Sequence, residues 1–199
     1  LFDGYHQNYG NVVDNSIGFS GLKHDFFMQA KADLIARKLA SLPGGGQQLK
    51  ALDVGCGVGM LIPYVRPLFA SVSGCDVSAE SIATARATDT IGDYRHYQAG
   101  SPLPFDDASF DFAMTVCVVH HVPPEQWPAF FSEIRRVLKP GGLACVIEHN
   151  PLNPATRLAV MRCPFDEDAV LLRSGKANAL FTQTGFKLDE TEFFLLLPS

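Results

Sequence analysis

Between residues 24 and 42 the apolar positions Phe27, Ala30, Leu34, Ile35 and Leu39 recur at three-to-four spacing. That period predicts an amphipathic helix, stopped by Pro43-Gly44-Gly45-Gly46. Beyond it the pattern changes to short apolar runs at about 49–54, 71–75, 94–98, 112–116 and 143–147, each read as a strand. The last of these is apolar throughout, as expected of a strand buried on both faces. Helix-compatible stretches separate them: 60–69 with Pro63 in its first turn, 79–87 with Ser78 as N-cap, and one from Pro123-Pro124-Glu125 to about Leu138, ended by Lys139-Pro140-Gly141-Gly142. A helix over 169–184, stopped by Gly185, precedes a final strand at 186–197. Strand and helix alternating five times predict an α/β fold, a doubly wound, mostly parallel sheet with helices on both faces and an antiparallel strand at the C-terminal end.

The run Leu49-Lys50-Ala51-Leu52-Asp53-Val54-Gly55-Cys56-Gly57-Val58-Gly59-Met60-Leu61-Ile62 joins the first strand to the first crossover helix. Its alternating glycines let the backbone bend sharply and let a ligand approach without Cβ obstruction, while the helix that follows presents unpaired N–H groups. A dinucleotide turn, G-x-G-x-x-G, would carry its third glycine at position 60, where this chain has Met60. Asp53 also opposes a doubly negative pyrophosphate and suits a ligand with a cationic head. Asp76, ending the second strand, is placed to accept both hydroxyls of a ribose. A plain strand-to-helix turn with a surface aspartate after it is the alternative that needs no ligand.

Asp53-x-Gly55-x-Gly57-x-Gly59 is similar to the first motif of the class I S-adenosylmethionine-dependent methyltransferases. Two further stretches resemble that family: Leu103-Pro104-Phe105 with Ser109-Phe110-Asp111, leading into the fourth strand, and Trp127 to Glu148 with its Arg135-Arg136-Val137-Leu138-Lys139-Pro140-Gly141-Gly142. The likeness covers about residues 50 to 150 and is broadest to the group that includes quinone-biosynthesis methyltransferases. It implies a Rossmann-like sheet, S-adenosyl-L-methionine as cofactor and a small-molecule methyl acceptor. Cofactor contacts would fall on Asp53, Gly55, Cys56, Gly57, Gly59, Asp76, Val77, Gly100, Ser101 and Cys117. The acidic residue the family carries just before Leu103 is missing, and Ala99, Gly100 and Ser101 stand there instead. The family closes its sheet with two antiparallel strands. Only one is found here, so residues 193–197 would be covered by a homodimer partner or by a missing C-terminal strand.

Methyl transfer from a sulfonium is an in-line displacement in which holding nucleophile and methyl in alignment can supply roughly 7–11 kcal/mol. A hydroxyl or phenol acceptor gains further from a general base. His121, His120 and His149 are the candidates, at the carboxyl ends of the fourth and fifth predicted strands; each could equally hold a loop by hydrogen bonds. Glu148 could orient an imidazole. No metal site is expected, because adjacent residues such as His120 and His121 would point apart.

Composition narrows the setting. The 199 residues are 47% hydrophobic and 19% charged, the make-up of one globular domain: an N-terminal cap and helix (1–45), a cofactor-binding core (46–150), and a substrate-side insertion with the C-terminal helix and strand (151–199). A net charge of −5 argues against a nucleic-acid partner, with Arg135-Arg136-x-x-Lys139 read as a solvated helix face. Five widely spaced cysteines signal neither a disulfide framework nor zinc. No apolar run approaches the roughly 20 residues of a membrane span, and no leader pattern opens the chain, so a cytoplasmic protein is expected. Two other functions share the sheet class: an NAD-dependent oxidoreductase, disfavoured by Met60 and by the lack of a Tyr-x-x-x-Lys pair, and a non-catalytic S-adenosylmethionine-binding module.

Overall fold

The computed structural model describes residues 14–42 and 44–194. The first 13 residues of the N-terminal cap expected over 1–45 lie outside them. The first long helix, α1 (His24–Ala40), starts where the His24 N–H donates to Asp14 Oδ1 at 2.7 Å. It buries Met28, Ala32, Ile35 and Leu39, the stripe that its period requires. There follow β1 (Lys50–Val54), α2 (Ile62–Val65), β2 (Ser71–Asp76), α3 (Ala79–Thr88), β3 (Tyr94–His96), β4 (Phe110–Val116), α4 (Trp127–Val137), β5 (Leu138–Ile147), α5 (Pro154–Arg162) and α6 (Ser174–Gln183).

The five strands are all parallel, in the order β3-β2-β1-β4-β5. The chain builds outward from β1 to β3, then returns to the other side of β1 for β4, which opens a crevice at the carboxyl ends of β1 and β4. Alternation along β1 sorts its side chains between two cores. Ala51 joins Ile35, Ile62, Val65, Ile82 and Tyr94 on the α1 side, whereas Leu52 and Val54 join Trp127, Phe131, Ile134 and Leu180 on the α4 side. Asp53 shares the pleat of Ala51 and so faces α1.

Five expectations need correction. The first crossover helix is only α2 plus a 3-10 turn at Arg66–Leu68, because Pro67 has no N–H with which to continue the ladder. β5 begins at Leu138, and Lys139-Pro140-Gly141-Gly142 bulges within it: Phe110 pairs with Leu138, but Phe112 pairs with Leu143. The strand is half-buried, with Leu143 36% exposed, because it lies at a sheet edge and not between two neighbours. Residues 186–194 form no strand. Glu190 and Glu192 reach Lys38 at 2.6 and 2.8 Å, and Glu192 reaches Arg37 at 3.1 Å, so the segment is drawn onto α1. Phe194 packs against the α1-side core and Phe193 stays exposed, while residues 195–197 lie outside the described residues.

Nor is Arg136 a solvated face. Its guanidinium donates to the carbonyls of Leu103 (2.9 Å) and Phe105 (2.8 Å) and to Glu133, strapping the loop ahead of β4 onto α4. Among the described residues no helix is long and apolar enough to cross a membrane.

Candidate functional site

The glycine turn follows β1 at the crevice. Gly55, Gly57 and Gly59 have φ of 79°, 53° and 82°, the left-handed region that glycine alone enters freely. The N–H groups of Gly55 and Cys56 both donate to Cys75 O, at 2.8 and 3.1 Å, tying the turn to the end of β2. The glycines then divide in role. A Cβ on Gly55 would lie 2.5 Å from Val118 Cγ2, so this residue admits the loop after β4. A Cβ on Gly57 would meet nothing within 4 Å and project into open space. Gly59 faces α3, with its virtual Cβ 3.6 Å from Ala85, and it is the one expected contact residue that does not line the cavity.

Asp76 fastens the turn. One carboxylate oxygen accepts the Gly57 N–H and the other the Ser78 N–H, each at 2.8 Å. A carboxylate has about four acceptor positions, so capacity remains for a ligand. Burial raises its pKa against the pull of the Ser78, Gly57 and Val77 backbone N–H groups. Asp53 is 3% exposed, and burial, with Asp76 second, raises its carboxyl to about 7 against the opposing Lys31 ammonium. Among the described residues no hydrogen bond reaches its carboxylate. Lys31, on the facing turns of α1, went unrecognised in the sequence. Its helical spacing reads as an ordinary polar face, and only the packing of α1 over β1 brings it to the site.

The loop after β4 holds the second half of the site. Cys117 adopts φ 57° and donates its N–H to Ile147 O at 2.8 Å, a left-handed turn that costs a non-glycine residue on the order of 1–3 kcal/mol. Its thiol lies 3.6 Å from Lys31 Nζ; burial pushes the thiol pKa up, but Lys31 and His149 outweigh it and bring it to about 6. Glu148 Oε1 accepts the N–H groups of Val118 (2.9 Å) and Val119 (2.7 Å), and Oε2 lies 2.6 Å from His120 Nδ1. Trp127, fully buried at the start of α4, donates its indole N–H to Val119 O and Val122 O at 3.0 and 2.8 Å. The loop is thus held from both sides.

His120 and His121 do not point apart. They sit on a 3-10 turn (Val119–His121), not on a strand, with ring centroids 4.0 Å from each other, and the Nε2 atoms lie 3.3 and 3.4 Å from the same oxygen, Asp166 Oδ1. Burial would lower the His120 pKa, but hydrogen bonds to Asp166 and Glu148 push it up to about 10. Burial and then His120 pull His121 down to about 4. The pKa of His149, whose ring centroid is 4.9 Å from that of His120, is raised by Cys117 against its burial. Asp166 arrives from the segment after α5, where sequence offered no motif.

Val77, 40% exposed, lines the same cavity, as do Gly100, at φ 78°, and Ser101. Glu133 lines it too, but its carboxylate is taken up by the Leu103 N–H (2.8 Å) and by Arg136.

The methyltransferase-domain family matches residues 52–146. A Synechocystis protein described as an uncharacterized methyltransferase is 32% identical over 69% of this chain and 66% of its own. The chain belongs to the class I S-adenosylmethionine-dependent methyltransferases. A ubiquinone biosynthesis O-methyltransferase of Maricaulis maris is 34% identical over 57% of this chain and 45% of its own length, and the chain spans about half to two thirds of these relatives. The crystal structure of an S-adenosylmethionine-dependent methyltransferase from Mesorhizobium loti superposes with a TM-score of 0.62 at 25% identity, covering 84% of this chain and 86% of the other. S-adenosylmethionine is the family's cofactor, and the site in this chain fits it: a buried carboxylate that faces a cavity and accepts no hydrogen bond from the described residues suits an ammonium, and Asp76 has acceptor capacity left for ribose hydroxyls.

Proposed function

We propose that the protein transfers a methyl group from S-adenosylmethionine to a small-molecule acceptor. The observation that carries this reading is a single continuous cavity running from Asp53, the glycine turn and Asp76 to His121 and His149, under residues of α5. Asp53 would hold the cofactor's ammonium, Lys31 its carboxylate, Asp76 its ribose hydroxyls and Val77 one face of its adenine. Gly100 and Ser101 would form the rim beside the adenine, and Gly55, Cys56, Gly57 and Cys117 the backbone walls. When bound, the cofactor supplies a methyl group on a sulfonium, an electrophile that needs alignment more than activation. The chain's own work is therefore positional. Ala159, Val160 and Phe165 line the cavity and would form an apolar roof that keeps water from the acceptor end. His121 and His149 line that end, where an imidazole can take the proton of a hydroxyl or phenol. His120, engaged at both ring nitrogens, positions Glu148 and Asp166.

A small acceptor is favoured by the apolar roof, by the net charge of −5, and by the quinone-pathway name of one relative. The test has two parts. Thermal shifts with S-adenosylmethionine, S-adenosylhomocysteine and NAD come first. A ligand at about 100 times its Kd adds about 2.7 kcal/mol, and a domain of this size moves by about 2–4 °C per kcal/mol. A rise of several degrees with the adenosyl ligands alone is expected; a rise with NAD alone would restore the oxidoreductase. Transfer of labelled methyl is then followed into small phenols, quinols and sterols, and into RNA and protein. Label confined to RNA or protein overturns the small-acceptor reading, and binding without transfer to any fraction favours a non-catalytic module.

A further inference from the structure

We infer that His120, His121 and Asp166 form a binding site for one divalent transition-metal ion of the zinc class. One ligand atom from each residue lies within 4.8 Å of the others, and two of the three separations are 3.3 and 3.4 Å, both measured to Asp166 Oδ1. Charge-assisted N–H···O bonds are shorter, about 2.7–2.9 Å. The observed separations instead match the edge of a tetrahedron: donors bound at about 2.0–2.1 Å to one ion stand ~3.3 Å apart.

The tautomer accommodates the ion. His120 Nδ1 lies 2.6 Å from Glu148 Oε2 and donates to it. Nε2 and the Asp166 carboxylate then share either the second proton of the imidazolium or, in its place, a metal ion. Glu148 is itself anchored by the Val118 and Val119 N–H groups, so it holds the imidazole plane as outer carboxylates do behind metal-bound histidines. Glu148 and Asp166 have side chains only 9% and 8% exposed, and a doubly charged ion balances the pair. Two imidazoles and one carboxylate suit zinc, iron, cobalt or nickel over magnesium or calcium. All three residues line the acceptor end of the cavity, which leaves a further coordination position for water or an acceptor atom. With the ion in place His121 is a ligand, and His149 is the imidazole left to take a proton directly.

Metal binding is read without cofactor or acceptor, so its outcome is separate from that of the methyl-transfer reading. Chelator-treated protein is titrated with Zn²⁺ by calorimetry and with Co²⁺ by visible absorption. One ion per chain and the d–d bands of a four- or five-coordinate cobalt centre are expected. His121→Ala and Asp166→Ala should weaken binding at least 100-fold, Glu148→Gln by roughly 10- to 100-fold, and His96→Ala, at an exposed position on β3, not at all. Circular dichroism checks each fold, and His121, 21% exposed, keeps the test open if Asp166→Ala does not fold. Absence of heat and cobalt bands in the unaltered chain would mean that a proton alone bridges His120 and Asp166. Unchanged affinity in folded His121→Ala would equally overturn the site.

Discussion

Replacing Asp53 by asparagine separates what the buried carboxylate costs the fold from what it gives the cofactor. Asp53 titrates near 7 in the folded protein against 3.8 for the free side chain, a difference of about 4 kcal/mol between its two protonation states. Because the folded pKa is the higher one, the folded protein binds the proton more tightly. The associated stability is complete below pH 3.8 and is lost as pH rises through about 7. Between pH 8 and pH 5 this group adds about 2.7 kcal/mol to the unaltered protein and nothing to Asp53→Asn. The variant should therefore be the more stable at pH 8, and its advantage in Tm should shrink by roughly 5–10 °C on going to pH 5. Cofactor binding runs the other way. Loss of a charge-assisted contact, about 1.5–3 kcal/mol, should weaken S-adenosylmethionine roughly 10- to 100-fold at pH 8. The assays are thermal melts from pH 5 to 8.5 and calorimetric titration with the cofactor. A Tm difference independent of pH would refute the buried-carboxylate argument, and unchanged affinity would refute the pairing with an ammonium.

The glycines make a paired prediction. Gly55→Ala places a methyl 2.5 Å from Val118 and should destabilise the fold by roughly 1–3 kcal/mol, whereas Gly57→Ala meets no protein atom, should melt within a few degrees of the parent, and should lose most of its cofactor affinity. Equal melting losses in both would show that backbone strain, not the Val118 contact, sets the cost. Asp76→Ala removes the acceptor of two backbone N–H groups and a ribose partner, so both Tm and cofactor affinity should fall, by about 1–3 kcal/mol each. A variant that loses Tm but binds the cofactor normally would show that the ribose is held elsewhere.

Asp53, Gly55, Gly57 and Asp76 were legible as cavity residues because each rests on local spacing: a glycine pattern behind an apolar run, and an acid at the end of the next one. Ser78 was legible for the same reason, and its hydroxyl does accept the Ser81 N–H, at 3.1 Å. Lys31, Glu148 as a loop anchor, and Asp166 were not. Lys31 meets Cys117 across 86 residues and Asp166 meets His120 across 46, and no local period encodes such a meeting. The histidine pair was misjudged for a related reason. Strand geometry was carried past the end of β4 at Val116 as far as His120 and His121, and a turn in which Cys117 takes a left-handed φ swings both rings to one side. The absent terminal strand has a similar cause, since the apolar alternation of 186–194 could not reveal that Glu190 and Glu192 face Lys38 and Arg37.

By itself the sequence determined the alternation of strand and helix, the class of the sheet and the glycine turn after β1, because burial period, glycine conformation and capping act over a few residues. The tertiary structure alone decided the strand order, the pleat that turns Asp53 toward α1, and the convergence of two histidines and two carboxylates on one buried point. Those depend on which surfaces exclude water together, a property of the packed chain and not of any segment in it.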